Sequence, residues 1–246
     1  MPIITIASQK GGTGKTTLAA AVAHGLYNKG YSVLLADCDQ QCNLTDTEAA
    51  TADNTIREAL TMERPRNAIL RRPGRPDIIP GSKALTDKAF QGLYMLRSVL
   101  APLKREYDFI IVDAPPRLDL ATMNAIIAAD VLLLPLQPDR YSLKALDDIA
   151  GMLASIERET KRKPKIMAII NRYTRRSILN RDMADNIAEA AEAKLKAATA
   201  RTKIRECVAI KEAQALQRDI FSYAPRSNAT ADFKALTEEI LNYTRE

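Results

Sequence analysis

Apolar positions in this chain recur in two rhythms. Short, nearly unbroken runs at 3–7, 32–36, 108–113, 131–136 and 166–170 read as strands covered on both faces. Between them the spacing is helical. In 141–159 the apolar positions are Leu143, Leu146, Ile149, Leu153 and Ile156, one face of a helix turned to a core. Further helices are predicted over 89–104, 120–128, 177–198, 208–218 and 230–245, the last with Phe233, Leu236, Ile240 and Leu241 on one side. Asn28-Lys29-Gly30 supplies a stop for a helix starting near Leu18, and Asp119 is placed to begin or cap the helix at 120. Strand and helix alternate throughout, which predicts an α/β fold spanning 1–246 as one domain: a mostly parallel, twisted sheet with helices on both faces.

The pattern is weakest over 45–76, where Arg64-Pro65-Arg66 and Arg71-Arg72-Pro73-Gly74-Arg75-Pro76 read as turns. Asn54 is placed to cap a short helix through Leu60, and 77–81 reads as a short strand ending at a turn. Two more short pieces are expected, a strand at 201–205 and a loop at 221–227. His24, the single histidine, falls within the first helix and reads as structural.

The chemistry begins after the first strand, at Ser8-Gln9-Lys10-Gly11-Gly12-Thr13-Gly14-Lys15-Thr16-Thr17. Strand, glycine loop and helix let backbone N–H groups and a helix N-terminus face a polyphosphate. Lys15 would set a point charge on the outer phosphates, and the Thr16 hydroxyl can ligate Mg²⁺. The general P-loop pattern has glycine five residues before Gly14, where this chain has Gln9; it carries a second lysine, Lys10, instead. At the ends of two later strands stand Asp37-Cys38-Asp39-Gln40-Gln41 and Asp113-Ala114-Pro115-Pro116. Strand ends beside the first loop are where open α/β sheets place their ligands. An apolar strand ending in Asp113 is the Walker B pattern, which holds the Mg²⁺ shell.

Lys-Gly-Gly-Thr-Gly-Lys-Thr-Thr behind a strand is the deviant Walker A sequence, and with it the chain resembles the ParA-type partition ATPases of the MinD/ParA group, P-loop NTPases in fold. The resemblance implies ATP/ADP and Mg²⁺ as ligands, weak intrinsic hydrolysis, and a dimer that closes over ATP. In that scheme Gly11, Gly12, Thr13, Gly14, Lys15, Thr16 and Thr17 hold the phosphates. Thr16, Asp37 and Asp113 serve the metal, and Asp39 orients the attacking water. Lys10 reaches the partner's phosphates. The family's second motif runs Asp-x-Asp-Pro-Gln, followed by glycine and asparagine. Here Gln40 replaces the proline and Cys42 the glycine, while Asp39, Gln41 and Asn43 are kept. Asn171, at the end of the strand 166–170, is expected either beside the base or as a helix cap, and Arg205 is expected at the nucleotide as well.

Charge adds a partner to the picture. The net charge is +6, yet residues 1–60 hold four Lys/Arg against six Asp/Glu, whereas 161–218 hold fifteen against six. That asymmetry fits either a polyanion partner or a solvated basic face. The resemblance implies non-specific double-stranded DNA, bound by the ATP dimer. Arg176 stands at one family position for that role. At another the chain has Ala209, with Lys203, Arg205, Lys211 and Arg218 close by. A ParB-type centromere-binding protein would be the protein partner.

The N-terminus shows no charged segment followed by an apolar core, and no apolar run approaches the ~20 residues that span a bilayer. The longest, 125–136, is broken by Asp130. Three cysteines (Cys38, Cys42, Cys207), with no close C-x-x-C pair, do not form a disulfide framework. These features predict a cytoplasmic protein, and the resemblance implies that it associates with the nucleoid in its ATP state. With the P-loop at residue 10, no N-terminal helix-turn-helix domain is expected. A MinD-like membrane positioner would need a basic amphipathic tail, and 230–245 mixes acids with bases. An iron–sulfur reductase would need cluster cysteines in other places. A relative that positions another cargo machine would share the same motifs, and stays open.

Overall fold

Strands with no polar face must be covered on both sides, and the sheet of this protein is. The computed structural model describes residues 1–245. Seven strands are present: β1 Ile3–Ile6, β2 Val33–Asp37, β3 Asp77–Ile79, β4 Phe109–Asp113, β5 Val131–Leu136, β6 Lys165–Ile170 and β7 Ala198–Thr199. They form one sheet in the order β3-β2-β4-β1-β5-β6-β7, and every pairing is parallel. The helices are α1 Lys15–Tyr27, α2 Asn43–Thr47, α3 Ile56–Thr61, α4 Met95–Leu100, α5 Leu120–Ala128, α6 Arg140–Thr160, α7 Ile178–Leu195, α8 Val208–Ala215, α9 Ile220–Tyr223 and α10 Asn228–Arg245.

Alternation along each strand divides two cores. Ile110, Val112, Leu132, Leu134 and Ile170 pack with α3 to α7. Phe109, Ile111, Leu133 and Ile169 pack with α1 and α10. The last helix does lie on the molecule: Phe233, Leu236, Ile240 and Leu241 are buried, each worth about 1.5–3 kcal/mol of transfer free energy. Gly25 lets α10 come close, because the Thr237 hydroxyl occupies the space of a Cβ there. No described helix is long and apolar enough to cross a membrane.

Four local expectations change. The helix expected over 89–104 is confined to α4, followed by a 3₁₀ turn at Ala101–Arg105; Pro102 lies in the first turn of that segment, where a proline is tolerated but cannot continue a ladder from before it. Thr55, not Asn54, caps α3, in a reciprocal capping box with Glu58. The strand expected at 201–205 is displaced to β7, leaving only a single bridge between Tyr173 and Arg205. The loop expected at 221–227 begins inside α9, whose Asp219 cap accepts from Ser222 N–H.

Candidate nucleotide site

All the motif residues converge at the carboxyl edge of the sheet. β1 lies between β4 and β5, so its loop opens where chain connections diverge to either side, the usual ligand crevice of such sheets. The register sets Asp113 beside both Ile6 and Asp37. A cavity of about 590 Å³ opens here, lined among others by Gly11, Gly14, Lys15, Thr16, Asp39 and Asn171. That volume is within the range of small-molecule and cofactor sites.

Gly12 and Gly14 have φ of 76° and 93°, a region other residues enter only with strain. Gly14 precedes α1 with no side-chain cap, and no acid stands in the first turn. The positive end of the helix is thus left for an external anion. Lys15 is 7% exposed. Burial holds its ammonium below the usual lysine range, while Asp113 and Asp39 pull it back toward the charged form.

The Thr16 hydroxyl donates to Asp113 Oδ2 at 2.7 Å. Asp113 is fully buried, and its Oδ1 has no hydrogen-bond partner. Burial, with repulsion from Asp37, pushes its carboxyl well above the ordinary carboxylate range. A buried oxygen lacking a donor costs stability until something electropositive meets it. A hydroxyl and one carboxylate suit Mg²⁺, which keeps several waters and takes phosphate oxygens as further ligands. No cluster of three or more His, Cys, Asp or Glu able to hold a metal occurs among the described residues.

Asp39 is on the cavity wall, and its Oδ1 accepts from Gln41 N–H at 3.0 Å. Cys42, standing where the related motif has glycine, adopts φ of 56° and caps α2. The turn therefore keeps its left-handed residue, at a cost of roughly 1 kcal/mol. Asp37, expected to serve the metal, is engaged by the turn that follows it. It is fully buried, with Oδ1 accepting from Asp39 N–H at 3.1 Å and Oδ2 from Thr45 N–H and Oγ1 at 2.9 and 2.6 Å. Its carboxylate holds the turn that presents Asp39. Burial raises its pKa to about 6, against the pull of those donors.

Lys10 points away from its own cavity. Its Nζ lies 2.6 Å from Asp139 Oδ2, 3.5 Å from Gln137 Oε1 and 5.3 Å from the centre of the Tyr141 ring. Of the two roles expected of Asn171, the helix cap is not taken, since Ser177 caps α7. The Asn171 Nδ2 donates to the Thr13 carbonyl at 2.6 Å and its Oδ1 accepts from Arg172 N–H at 2.9 Å, so the amide is engaged with protein, not as a helix cap.

The five basic residues expected at DNA have different partners. Lys211 and Arg205 line the nucleotide cavity. The Arg205 Nε donates to both oxygens of Asp232, at 3.2 and 2.9 Å. Lys203 pairs with Asp185 at 2.8 Å and lies over the Tyr173 ring. Arg218 stacks on Tyr223 and lines a second, small cavity. Arg176 is exposed at the loop before α7.

Sequence reading passed over Gln137, Asp139, Arg172 and Gln214. The last donates to Thr17 Oγ1 at 2.9 Å from α8. Asp139 carried a visible signal, an N-cap residue directly before a helical run; it accepts from Tyr141 and Ser142 N–H, both at 3.0 Å. Gln137 and Arg172 sit just past strand ends, a position that marks candidates without assigning roles.

Comparison with known proteins agrees with this geometry. A family model described as an AAA domain matches residues 1–166. The chromosome partitioning protein ParA of Myxococcus xanthus is 30% identical, over 97% of this chain and 87% of that protein. The cell division protein PomZ of the same organism is 28% identical over 94% and 75%. Among solved structures, the septum site-determining protein MinD of Pyrococcus horikoshii, complexed with Mg-ADP, superposes with a TM-score of 0.78 at 28% identity, over 97% of this chain and 95% of that one.

Proposed function

The chain belongs to the ParA-type ATPases of the MinD/ParA family, and on that premise we propose that it is a DNA-partitioning ATPase whose ATP form is a dimer on DNA. Coarsely, it is a partition or positioning ATPase with ATP/ADP and Mg²⁺ as ligands. The observation that supports the nucleotide chemistry in this reading is the pairing of Thr16 with a buried Asp113 that keeps one oxygen without a partner, beside a buried Lys15.

In this reading the amides of residues 11–16 and Lys15 bind the outer phosphates, and Thr16 with Asp113 would hold Mg²⁺. The ion, when bound, neutralises charge on the β- and γ-oxygens. Asp39, fixed by the turn that Asp37 anchors, orients the attacking water. Lys10 leaves Asp139 and crosses to the triphosphate of a second copy. Closure of two copies over ATP then builds the surface that meets DNA, with Arg176 as its exposed base. Slow intrinsic hydrolysis, accelerated by a ParB-type partner, resets the cycle.

Binding to duplex DNA, measured with ATP and with ADP across a salt series, tests this. The expected result is ATP-dependent binding with a log–log salt slope of roughly −4 to −5, for about four to six phosphate contacts. Binding indifferent to both nucleotide and salt contradicts it. A second reading, positioning of a different cargo, is favoured by Lys203 and Arg205 being neutralised by Asp185 and Asp232. It gains further support from similarity to PomZ, a cell division protein. Under it, the ATP dimer forms and DNA binding is absent.

A further inference from the structure

A loop that offers its N–H groups to phosphate must turn its carbonyls outward, because the two ends of a trans peptide point in opposite directions. Outward carbonyls need donors of their own, or the loop relaxes when no anion is present. In this protein the donors come from the ends of β5 and β6.

The Gly12 carbonyl accepts from Gln137 Nε2 at 2.8 Å and from Arg172 Nη1 at 3.3 Å. The Thr13 carbonyl accepts from Asn171 Nδ2 at 2.6 Å. These carbonyls share their peptides with the N–H groups of Thr13 and Gly14, for which no acceptor occurs among the described residues. The donors are themselves held. Asn171 is 9% exposed and its Oδ1 is tied to Arg172 N–H. Gln137 Oε1 faces Lys10 Nζ at 3.5 Å, which fixes the amide with its NH₂ group toward Gly12. Gly14 has a second reason to be glycine, since a Cβ there would run into Asn171 Nδ2.

We propose that Gln137, Asn171 and Arg172 are positioning residues that bracket the P-loop from two strand ends and keep the Thr13 and Gly14 N–H groups aimed at phosphate before nucleotide arrives. The bracket rests on the triphosphate reading of the site and deepens it. It recasts Asn171, whose amide spends one N–H on the loop and its oxygen on Arg172, so that the residue acts on the phosphate end and not first on the base. Gln137 also links the loop to Lys10, so the side chain that would leave in a dimer touches the residue that braces Gly12.

The test is equilibrium binding of Mg-ATP and of Mg-tripolyphosphate, which has no base, to the wild-type chain and to Gln137→Ala, Asn171→Ala and Arg172→Ala. The thermal midpoint of each variant is measured without ligand. The wild type is expected to bind both ligands. Gln137→Ala and Asn171→Ala should each weaken both by the same factor, roughly tenfold for a lost hydrogen bond that orients a binding group. Arg172→Ala, with the longer bond, should cost less. The thermal midpoint should stay near that of the wild type in all three. Gln137→Glu, which keeps the size but faces the Gly12 carbonyl with an acceptor, should behave at least as badly as Gln137→Ala. If Asn171→Ala weakens ATP alone, the residue reads the base and the bracket is wrong. Variants that bind both ligands as well as wild type, or a wild type that binds ATP and not tripolyphosphate, also overturn it. Failure of the wild type to bind ATP at all would instead remove the nucleotide reading beneath it.

Discussion

Lys10 and Asp139 form an ion pair between the P-loop and the start of α6, 2.6 Å between Nζ and Oδ2, with each side chain about one-third exposed. The same carboxylate caps α6, so it serves a helix and a lysine at once. Lys10 together with the α6 amides outweighs partial burial and holds Asp139 below the usual carboxylate range. A lysine required on a partner's phosphate must break this pair first.

Because both groups are partly solvated, the pair opposes closure by no more than about 1 kcal/mol. Asp139→Asn keeps a good N-cap and removes the charge. It should lower the ATP concentration at which dimers form by a few-fold, read by light scattering. Asp139→Ala should in addition lose about 1 kcal/mol of stability with the cap.

Asp37 gives the ligand-free protein a pH dependence. Its folded pKa, raised to about 6, exceeds the ordinary aspartate value of 3.8. Such a group favours the folded state while protonated, fully below its unfolded pKa, and the contribution is lost as pH rises through 6. The loss amounts to at most about 3 kcal/mol for a shift of ~2 units. Thermal midpoints without nucleotide should therefore fall as pH rises from about 4 to about 6 and level off above, and Asp37→Asn should flatten that slope.

Asp113→Asn should raise the stability of the ligand-free protein at pH 8, since it removes a buried carboxylate that burial disfavours charging. The same change should abolish the extra stabilisation that Mg²⁺ adds to bound ATP. A differential scanning series with ATP, with and without Mg²⁺, separates the two effects.

Arg176→Ala should weaken duplex binding for all sequences alike and reduce the salt slope by about one. Lys203→Ala should change it less, because Asp185 already neutralises that charge. Filter binding over a salt series reads both.

The sheet and the phosphate loop were readable because buried parallel strands leave continuous apolar runs, and because Gly12 and Gly14 mark φ angles that few residues adopt. Roles settled by distant partners were not. Asp37 and Asp39 are two residues apart and similar in sequence context, yet Thr45 claims one and the cavity exposes the other. Asn171 and Gln137 stand at strand ends, where an amide can serve base, helix or loop; only the position of the Gly12 and Thr13 carbonyls decides. The break after α4 needed Pro102 to be weighed above the apolar spacing around it. Basic residues over 161–218 suggested a patch, but Asp185 and Asp232 lie in or beyond that stretch and meet Lys203 and Arg205 only in the fold.

The account rests on two copies of the chain sharing their triphosphates through Lys10. Sedimentation velocity of Asp39→Ala and of Asp39→Ala/Lys10→Ala, each saturated with Mg-ATP, measures this most directly. The account predicts a dimer for the first and a nucleotide-bound monomer for the second. Equal dimerisation of both would contradict it.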